Sequence, residues 1–238
     1  MRRYILFLFL IVNFFLANSQ IHNGSIIFER KTNLKKMYGQ HLPSKWSDYV
    51  KQPKIDSFIL LFNDSISLFK PIETNEVDIL GWSINRNIIY TNLMNKEKKA
   101  ILTFYNEKYL IENLKSNKND WKITQEIREI AGFTCIKSFK VVNGEKVYAW
   151  FCPYINPAFG PEGFEGLPGM ILGIAFEDGR ITYFARKVFT VDDIENISMP
   201  VTDVVSVKSN ISDFEKQFIN VEMSEIMSIL LNDILKWF

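Results

Sequence analysis

A single dense run of glycine and proline, residues 160–171 (Gly-Pro-Glu-Gly-Phe-Glu-Gly-Leu-Pro-Gly-Met-Ile), interrupts a chain otherwise made of strand-like segments. The run holds four of the 11 glycines and two of the 8 prolines in the 238 residues. Glycine reaches positive φ without a steric penalty, and proline fixes its own φ. We therefore predict a fixed, tightly turned loop, with Pro168-Gly169 at the centre of a type II turn. Met170 and Ile171 should then begin an apolar strand.

The same run resembles the signature of a known family. Gly166-Leu167-Pro168-Gly169-Met170-Ile171, preceded by Gly160-Pro161 and Phe164, is similar to the hexapeptide of the GLPGLI family, with Met170 where that family usually has leucine. Residues 130–135 and Trp150-Phe151 also resemble family landmarks, so the resemblance covers roughly residues 120–175. The GLPGLI proteins are exported, mostly from Bacteroidetes, and their function is unknown. The resemblance therefore implies export without naming an activity. We call residues 160–171 the signature loop.

The first 19 residues have the pattern of an export signal. Arg2-Arg3 precede an apolar run from Tyr4 to Leu16, and small residues follow at Ala17-Asn18-Ser19. The alternative is a membrane anchor, but the run is shorter than the roughly 20 residues that span a bilayer. We predict a signal peptide at 1–19 and a single domain at 20–238, in the periplasm or outside the cell, with no membrane span after cleavage.

Composition limits the classes of partner. Hydrophobic residues make up 47% of the chain, which is enough for a buried core. The formal net charge is +1, with lysine and arginine spread evenly along the sequence. Binding to nucleic acid requires a basic patch or stripe, so we exclude this class of partner.

Short apolar segments separated by turn residues predict a mainly β fold. Asn143-Gly144 is the strongest hairpin signal, because both residues suit the positive-φ positions of a type I′ turn. Asn63-Asp64 and Asp178-Gly179 predict two further hairpins. The regular spacing favours a curved antiparallel meander sheet or half-barrel.

The chain ends with a helical pattern. From a predicted N-cap at Ser212-Asp213, apolar residues recur at spacings of mostly three and four up to Leu235, which predicts an amphipathic helix with a possible break near Asn220. A membrane- or partner-binding surface is one interpretation of this helix. Its polar positions are mostly acidic, so we favour a helix that covers the sheet.

The two cysteines, Cys135 and Cys152, are predicted to face each other across the Asn143-Gly144 hairpin. If Val142 and Glu145 close the turn, every later pair keeps the same sum of residue numbers, and the cysteines share that sum. At a non-hydrogen-bonded pair the Cα atoms approach to about 4.5 Å, which a disulfide can bridge. We predict a disulfide in an oxidising compartment, the alternative being two buried thiols that pack as small hydrophobic groups.

Candidate catalytic and metal-binding residues are few. The only histidines, His22 and His41, lack the spacing and supporting ligands of a metal site, so we expect them to be exposed. Glu162 and Glu165 could be the paired carboxylates of a hydrolase, but carboxylates on loops are usually solvated. We expect no catalytic residue, cofactor or metal.

Four aromatic residues lead into the signature loop. Phe151, Tyr154, Phe159 and Phe164 could line a pocket or a partner-binding patch, or could form the hydrophobic floor on which the loop packs. We favour the floor.

These observations favour an exported protein without enzymatic activity that binds an apolar ligand, a peptide or an envelope protein through the concave face or the signature loop. One alternative is an enzyme that works from Glu162, Glu165 or Asp178. Another is an accessory protein of an outer-membrane transport system.

Overall fold

The computed structural model describes residues 20–42, 44–74, 77–115, 120–142, 144–191, 194 and 196–238. Within them the chain forms a single open sheet of twelve strands. The strands are β1 (Gly24–Thr32), β2 (Lys54–Phe62), β3 (Ile66–Pro71), β4 (Ile88–Asn92), β5 (Glu97–Phe104), β6 (Glu107–Ile111), β7 (Lys122–Ile130), β8 (Phe133–Val142), β9 (Glu145–Cys152), β10 (Met170–Phe176), β11 (Ile181–Thr190) and β12 (Val204–Lys208). The predicted mainly β fold is therefore confirmed.

Two antiparallel meanders make up this sheet. Strands β1 to β6 follow one another on one side and β7 to β11 on the other, and β1 joins the halves by pairing with β11. The prediction of a wholly antiparallel sheet is wrong at one edge, where β12 pairs in parallel with β6. The preceding strand, β11, lies beside β1 in the middle of the sheet, so the chain passes the β1–β6 half before it reaches this edge.

The sheet is strongly curved. Lys98 on β5 donates a hydrogen bond to the Gly163 carbonyl (2.6 Å), while the Nζ atom of Lys140 on β8 lies 4.9 Å from the ring centre of neighbouring Phe164. Eight strand spacings separate β5 from β8, which is about 38 Å in a flat sheet. Both strands can reach adjacent loop residues only if the sheet bends around the signature loop.

The C-terminal segment forms two helices that cover the buried face of the sheet. After α1 (Leu34–Tyr38), near the start of the chain, these are α2 (Ile211–Lys216) and α3 (Glu225–Leu235). The break predicted near Asn220 is confirmed, but the N-cap of α2 is Asn210, whose side chain accepts from the Asp213 N–H (3.0 Å). Helix α3 directs Trp237 against Phe164 and Tyr183, with ring centres 5.9 and 5.8 Å away.

The β8–β9 hairpin has the predicted register. Val142 pairs with Glu145, and the same sum of residue numbers continues without a shift to Ile136 and Phe151. Gly144 has φ 81°, as the predicted turn requires, whereas Asn143 lies outside the described residues. The β2–β3 turn is shifted by one residue from the predicted Asn63-Asp64. The Asn63 N–H donates to the Ile66 carbonyl, so the two loop residues are Asp64 and Ser65.

The signature loop is largely buried. Leu167 and Ile171 are 2% and 0% exposed, and Gly169 has φ 143°. The predicted type II turn is wrong, because the Gly169 N–H donates to the Leu167 carbonyl (2.8 Å) across Pro168, as in an inverse γ-turn. The Met170 N–H instead donates to the Ile155 carbonyl (2.9 Å).

No helix within the described ranges is long and apolar enough to cross a membrane. Residues 1–19, the predicted signal peptide, lie outside those ranges.

Gly169→Ala should lower the melting temperature more than Gly132→Ala. Both positions have positive φ, at which an added Cβ costs about 1–2 kcal/mol. A Cβ at Gly169 would also lie 2.2 Å from the Cys152 carbonyl oxygen, whereas at Gly132 it would have no atom within 4 Å. Thermal unfolding of the two variants and the wild type measures this difference. An equal decrease in melting temperature in both variants would show that the contact with the Cys152 carbonyl does not add to the destabilisation.

Candidate functional site

A buried ion pair links the first strand to the last helix. Arg30, at 0% exposure, donates from Nη2 to Oδ2 of Asp233 on α3 (2.9 Å) and from Nε to Oγ1 of Thr32 (3.0 Å). A second guanidinium nitrogen bonds to the Asn85 side chain. On its other side Asp233 pairs with Lys236 (2.5 Å). Every charge in this group has a partner, which the low dielectric of the interior requires.

Glu162 of the signature loop lies beside this pair and is also fully buried. Tyr183 on β11 donates its hydroxyl hydrogen bond to Glu162 Oε1, and the Asn87 side-chain amide donates to Oε2 (3.2 Å). The φ of 53° at Glu162 turns the backbone so that its side chain enters the core. We call Arg30, Asn85, Asn87, Glu162, Tyr183 and Asp233 the central cluster.

Burial and charge act in opposite directions on the two carboxyl groups of the central cluster. Burial raises the pKa of Glu162 to about 7, although Arg30 and the hydrogen bond from Tyr183 oppose the increase. Burial also acts to raise the pKa of Asp233, but Arg30 and Lys236 outweigh it and hold that pKa below its usual value. Asp233 is therefore the permanent anion of the cluster, and Glu162 is the group that titrates near neutral pH.

The expected exposure of Glu162 and Glu165 is wrong. Both are buried, at 0% and 8% exposure, because the loop folds under the C-terminal helices and not out into solvent. Asp178, by contrast, lies in the β10–β11 turn, where it pairs with Arg180 (2.8 Å). The structure does not bring these three candidate carboxylates together on an open surface.

An open groove runs beside the C-terminal helices. A first cleft of about 1000 Å³ is lined by Lys98, Leu114 and residues 209–212, and a second of about 570 Å³ by Arg180, Ile229 and Leu235. Ile211 and Phe238 line both clefts, so the two lie side by side. We call the two clefts together the C-terminal groove. Each cleft is within the size range of small-molecule sites, roughly 300–1,000 Å³.

The aromatic residues before the signature loop are mostly core. Phe151, Phe159 and Phe164 are no more than 2% exposed, which fits the predicted floor, whereas Tyr154 is 46% exposed.

Each histidine lies within hydrogen-bonding distance of a carboxylate, His22 of Asp64 (2.6 Å) and His41 of Glu225. Across the described residues, no group of three or more histidine, cysteine, aspartate or glutamate side chains could hold a metal ion.

The predicted disulfide is not formed in the structure. Cys135 and Cys152 are free and fully buried thiols within hydrogen-bonding distance of each other, and this contact raises the pKa of Cys135 and lowers that of Cys152. The register brought the two thiols together as expected, but a disulfide also requires an oxidant to remove two hydrogens and two electrons.

The charged residues of the interior were missed from the sequence, although each interrupts an apolar pattern. Arg30 follows Ile26 and Phe28 on the inward side of β1, and Lys98 precedes Ala100 and Leu102 on the inward side of β5. Asp233 lies between Leu230 and Trp237 on the buried stripe of α3. A charge at an inward position of a strand or helix was the available signal.

Comparison with known proteins gives a family match over one part of the chain. A family model described as a protein of unknown function (Porph_ging) matches residues 139–173, from the end of β8 through the signature loop into β10. No curated protein matches the chain.

Solved structures show a similar fold. PNGF-II, in P21 and C2 crystal forms, superposes with a TM-score of 0.57 at 16% and 15% identity. The match covers 82% of this chain but 32% of PNGF-II, so the chain spans about a third of that protein's length. MucB matches with a TM-score of 0.39 at 7% identity, over 81% of this chain and 62% of MucB.

Glu162→Gln should remove part of the pH dependence of stability. The carboxyl titrates near 4.5 when unfolded and near 7 when folded, so its favourable contribution is complete below 4.5 and is lost as pH rises through 7. The loss amounts to about 3 kcal/mol at most. Urea unfolding between pH 4.5 and 8 measures it, with the exposed Glu222→Gln as control. An identical slope in wild type and Glu162→Gln would contradict the assignment.

Cys135 and Cys152 should be joined in protein recovered from an oxidising compartment. Thiol titration of the unfolded, unreduced protein should find no free thiol, and Cys135→Ser should show one. Closing a loop of roughly 16 residues stabilises a protein by about 3 kcal/mol in the chain-entropy model, so reduction should lower the free energy of unfolding by up to that amount. Two free thiols in the wild-type protein would contradict the predicted disulfide.

Proposed function

We propose that this chain is an exported, non-enzymatic binding protein that holds an apolar ligand in the C-terminal groove. The observation that carries the proposal is the groove itself, open to solvent and lined by Ile229 and Leu235 of α3 and by Phe238 after its end. Ligand sites are concave and combine apolar walls with polar groups that fix orientation. Here the apolar residues share the walls with many polar and charged ones, Lys98 and Arg180 among them.

Export rests on the signal-like pattern of residues 1–19, and membership of the GLPGLI family is part of the same proposal. The Porph_ging match over residues 139–173 contains the signature loop and is compatible with that family. The likeness to PNGF-II supports only the fold, which there makes up about a third of a larger chain.

The burial of the loop carboxylates disfavours the hydrolase alternative. Glu162 has no exposed surface, and its two oxygens accept from Tyr183 and Asn87. A general acid or base must reach the proton that it transfers, directly or through one water. An accessory role in an outer-membrane transport system is the other alternative, and it predicts a stable complex with a membrane receptor instead of a small ligand.

Binding of the neutral apolar dye Nile red tests the groove. We expect saturable fluorescence enhancement with wild type and about tenfold weaker binding with Ile229→Gln, since the substitution removes apolar contact from the wall. Ile219→Gln is the matched control, because Ile219 is 71% exposed and lines neither cleft. No saturable binding to wild type, or equal weakening in both variants, would contradict the proposal.

A further inference from the structure

Two buried lysines from opposite halves of the sheet meet under the signature loop. Lys98 on β5 is 4% exposed and Lys140 on β8 is 5% exposed. Lysine is almost never buried to this degree unless its ammonium group is paired. The partners of each ammonium group therefore decide what this region can do.

Lys98 is only partly satisfied. Its Nζ donates to the Gly163 carbonyl (2.6 Å) and lies 3.8 Å from Glu165 Oε1, too far for a hydrogen bond. An ammonium group has three N–H donors, so Lys98 has donors to spare. Lys98 is also one of the residues that line the first cleft.

Lys140 has no hydrogen-bond acceptor among the residues that the structure describes. Its Nζ lies 4.7 Å from the ring centre of Trp121 and 4.9 Å from that of Phe164, and these aromatic faces are its nearest partners. A cation between two rings gains electrostatic attraction, but its N–H donors remain available. Burial lowers the pKa of Lys140 to about 8. The charge of Lys98 lowers this pKa further, whereas Asp120 and Glu165 act to raise it.

Glu165 has a carboxylate oxygen that accepts no hydrogen bond from the described residues. Its backbone carbonyl accepts from Trp121 Nε1 (2.9 Å), but its Oε1 is buried and has no hydrogen-bond partner. The region thus presents two ammonium groups with free donors around one carboxylate with a free acceptor. Buried polar groups are almost always paired, so this surplus fits a ligand that accepts several hydrogen bonds and donates one.

We propose that Lys98, Lys140 and Glu165 form a binding site for a phosphate-type oxyanion beside the first cleft. Phosphate oxygens accept from both ammonium groups, and inorganic phosphate near neutral pH keeps at least one O–H that can donate to Glu165 Oε1. Sulfate has the same tetrahedral shape but no proton at this pH, so the site distinguishes the two. The inference stands on these contacts and does not depend on an apolar ligand in the C-terminal groove.

Isothermal titration of the wild-type protein with inorganic phosphate and with sulfate at pH 6.5 is the first test. We expect saturable one-to-one binding of phosphate and weaker binding of sulfate. Glu165→Gln should reduce this preference, because the amide can donate to sulfate as well. Failure of phosphate to bind wild type would overturn the site, and equal binding of both anions would overturn the role of Glu165.

Lys140→Met separates binding from a structural role. Methionine keeps an unbranched apolar chain between Trp121 and Phe164 but removes the charge, so phosphate should bind at least roughly tenfold more weakly. In phosphate-free buffer the variant should melt at or above the wild-type temperature, since an unpaired buried charge is lost. The exposed Lys187→Met is the control and should bind like wild type. Unchanged phosphate affinity in Lys140→Met would refute the proposal, and in the event of misfolding Lys140→Gln gives the same comparison.

Discussion

The pairing of Arg30 with Asp233 is the interaction on which the packing of the last helix depends. Both charges are removed from water, and each ion loses several kcal/mol of solvation free energy on burial. That cost is tolerable only while Asn85, Thr32 and Lys236 complete the hydrogen bonding on either side. An apolar helix could cover the same surface in several registers. The ion pair fixes one, because only one position of α3 brings Asp233 to the guanidinium group.

The signature loop is held between two charged groups. At one end Glu162 enters the central cluster, and at the other Glu165 lies near Lys98, with Gly163 between them accepting from that lysine. Gly163 has φ 69°, which strains any other residue, and a side chain there would also meet the Lys98 Cε at 2.7 Å, so the lysine would have to move. The glycines and prolines of the loop thus serve to aim two carboxylates inward.

The sequence was sufficient to predict the parts of the fold that depend on local chemistry. The β8–β9 register followed from the Asn143-Gly144 turn, and the broken C-terminal helix followed from the spacing of its apolar residues. The parallel pairing of β12 and the central cluster were not predictable in this way. Arg30, Glu162 and Asp233 are far apart in the chain, and they meet only when the signature loop and α3 pack against β1.

The pairing of β1 with β11 is a contact that we expect to form late in folding. Phe28 pairs with Ala185, so the middle of the sheet joins segments that are far apart in the chain. The loop-closure entropy must be lost before these contacts contribute, and folding rates fall as the mean sequence separation of contacts rises. Until β11 has paired with it, β1 has unpaired backbone N–H and C=O groups along one edge. A chaperone that shields this edge would protect the chain from strand pairing with other molecules.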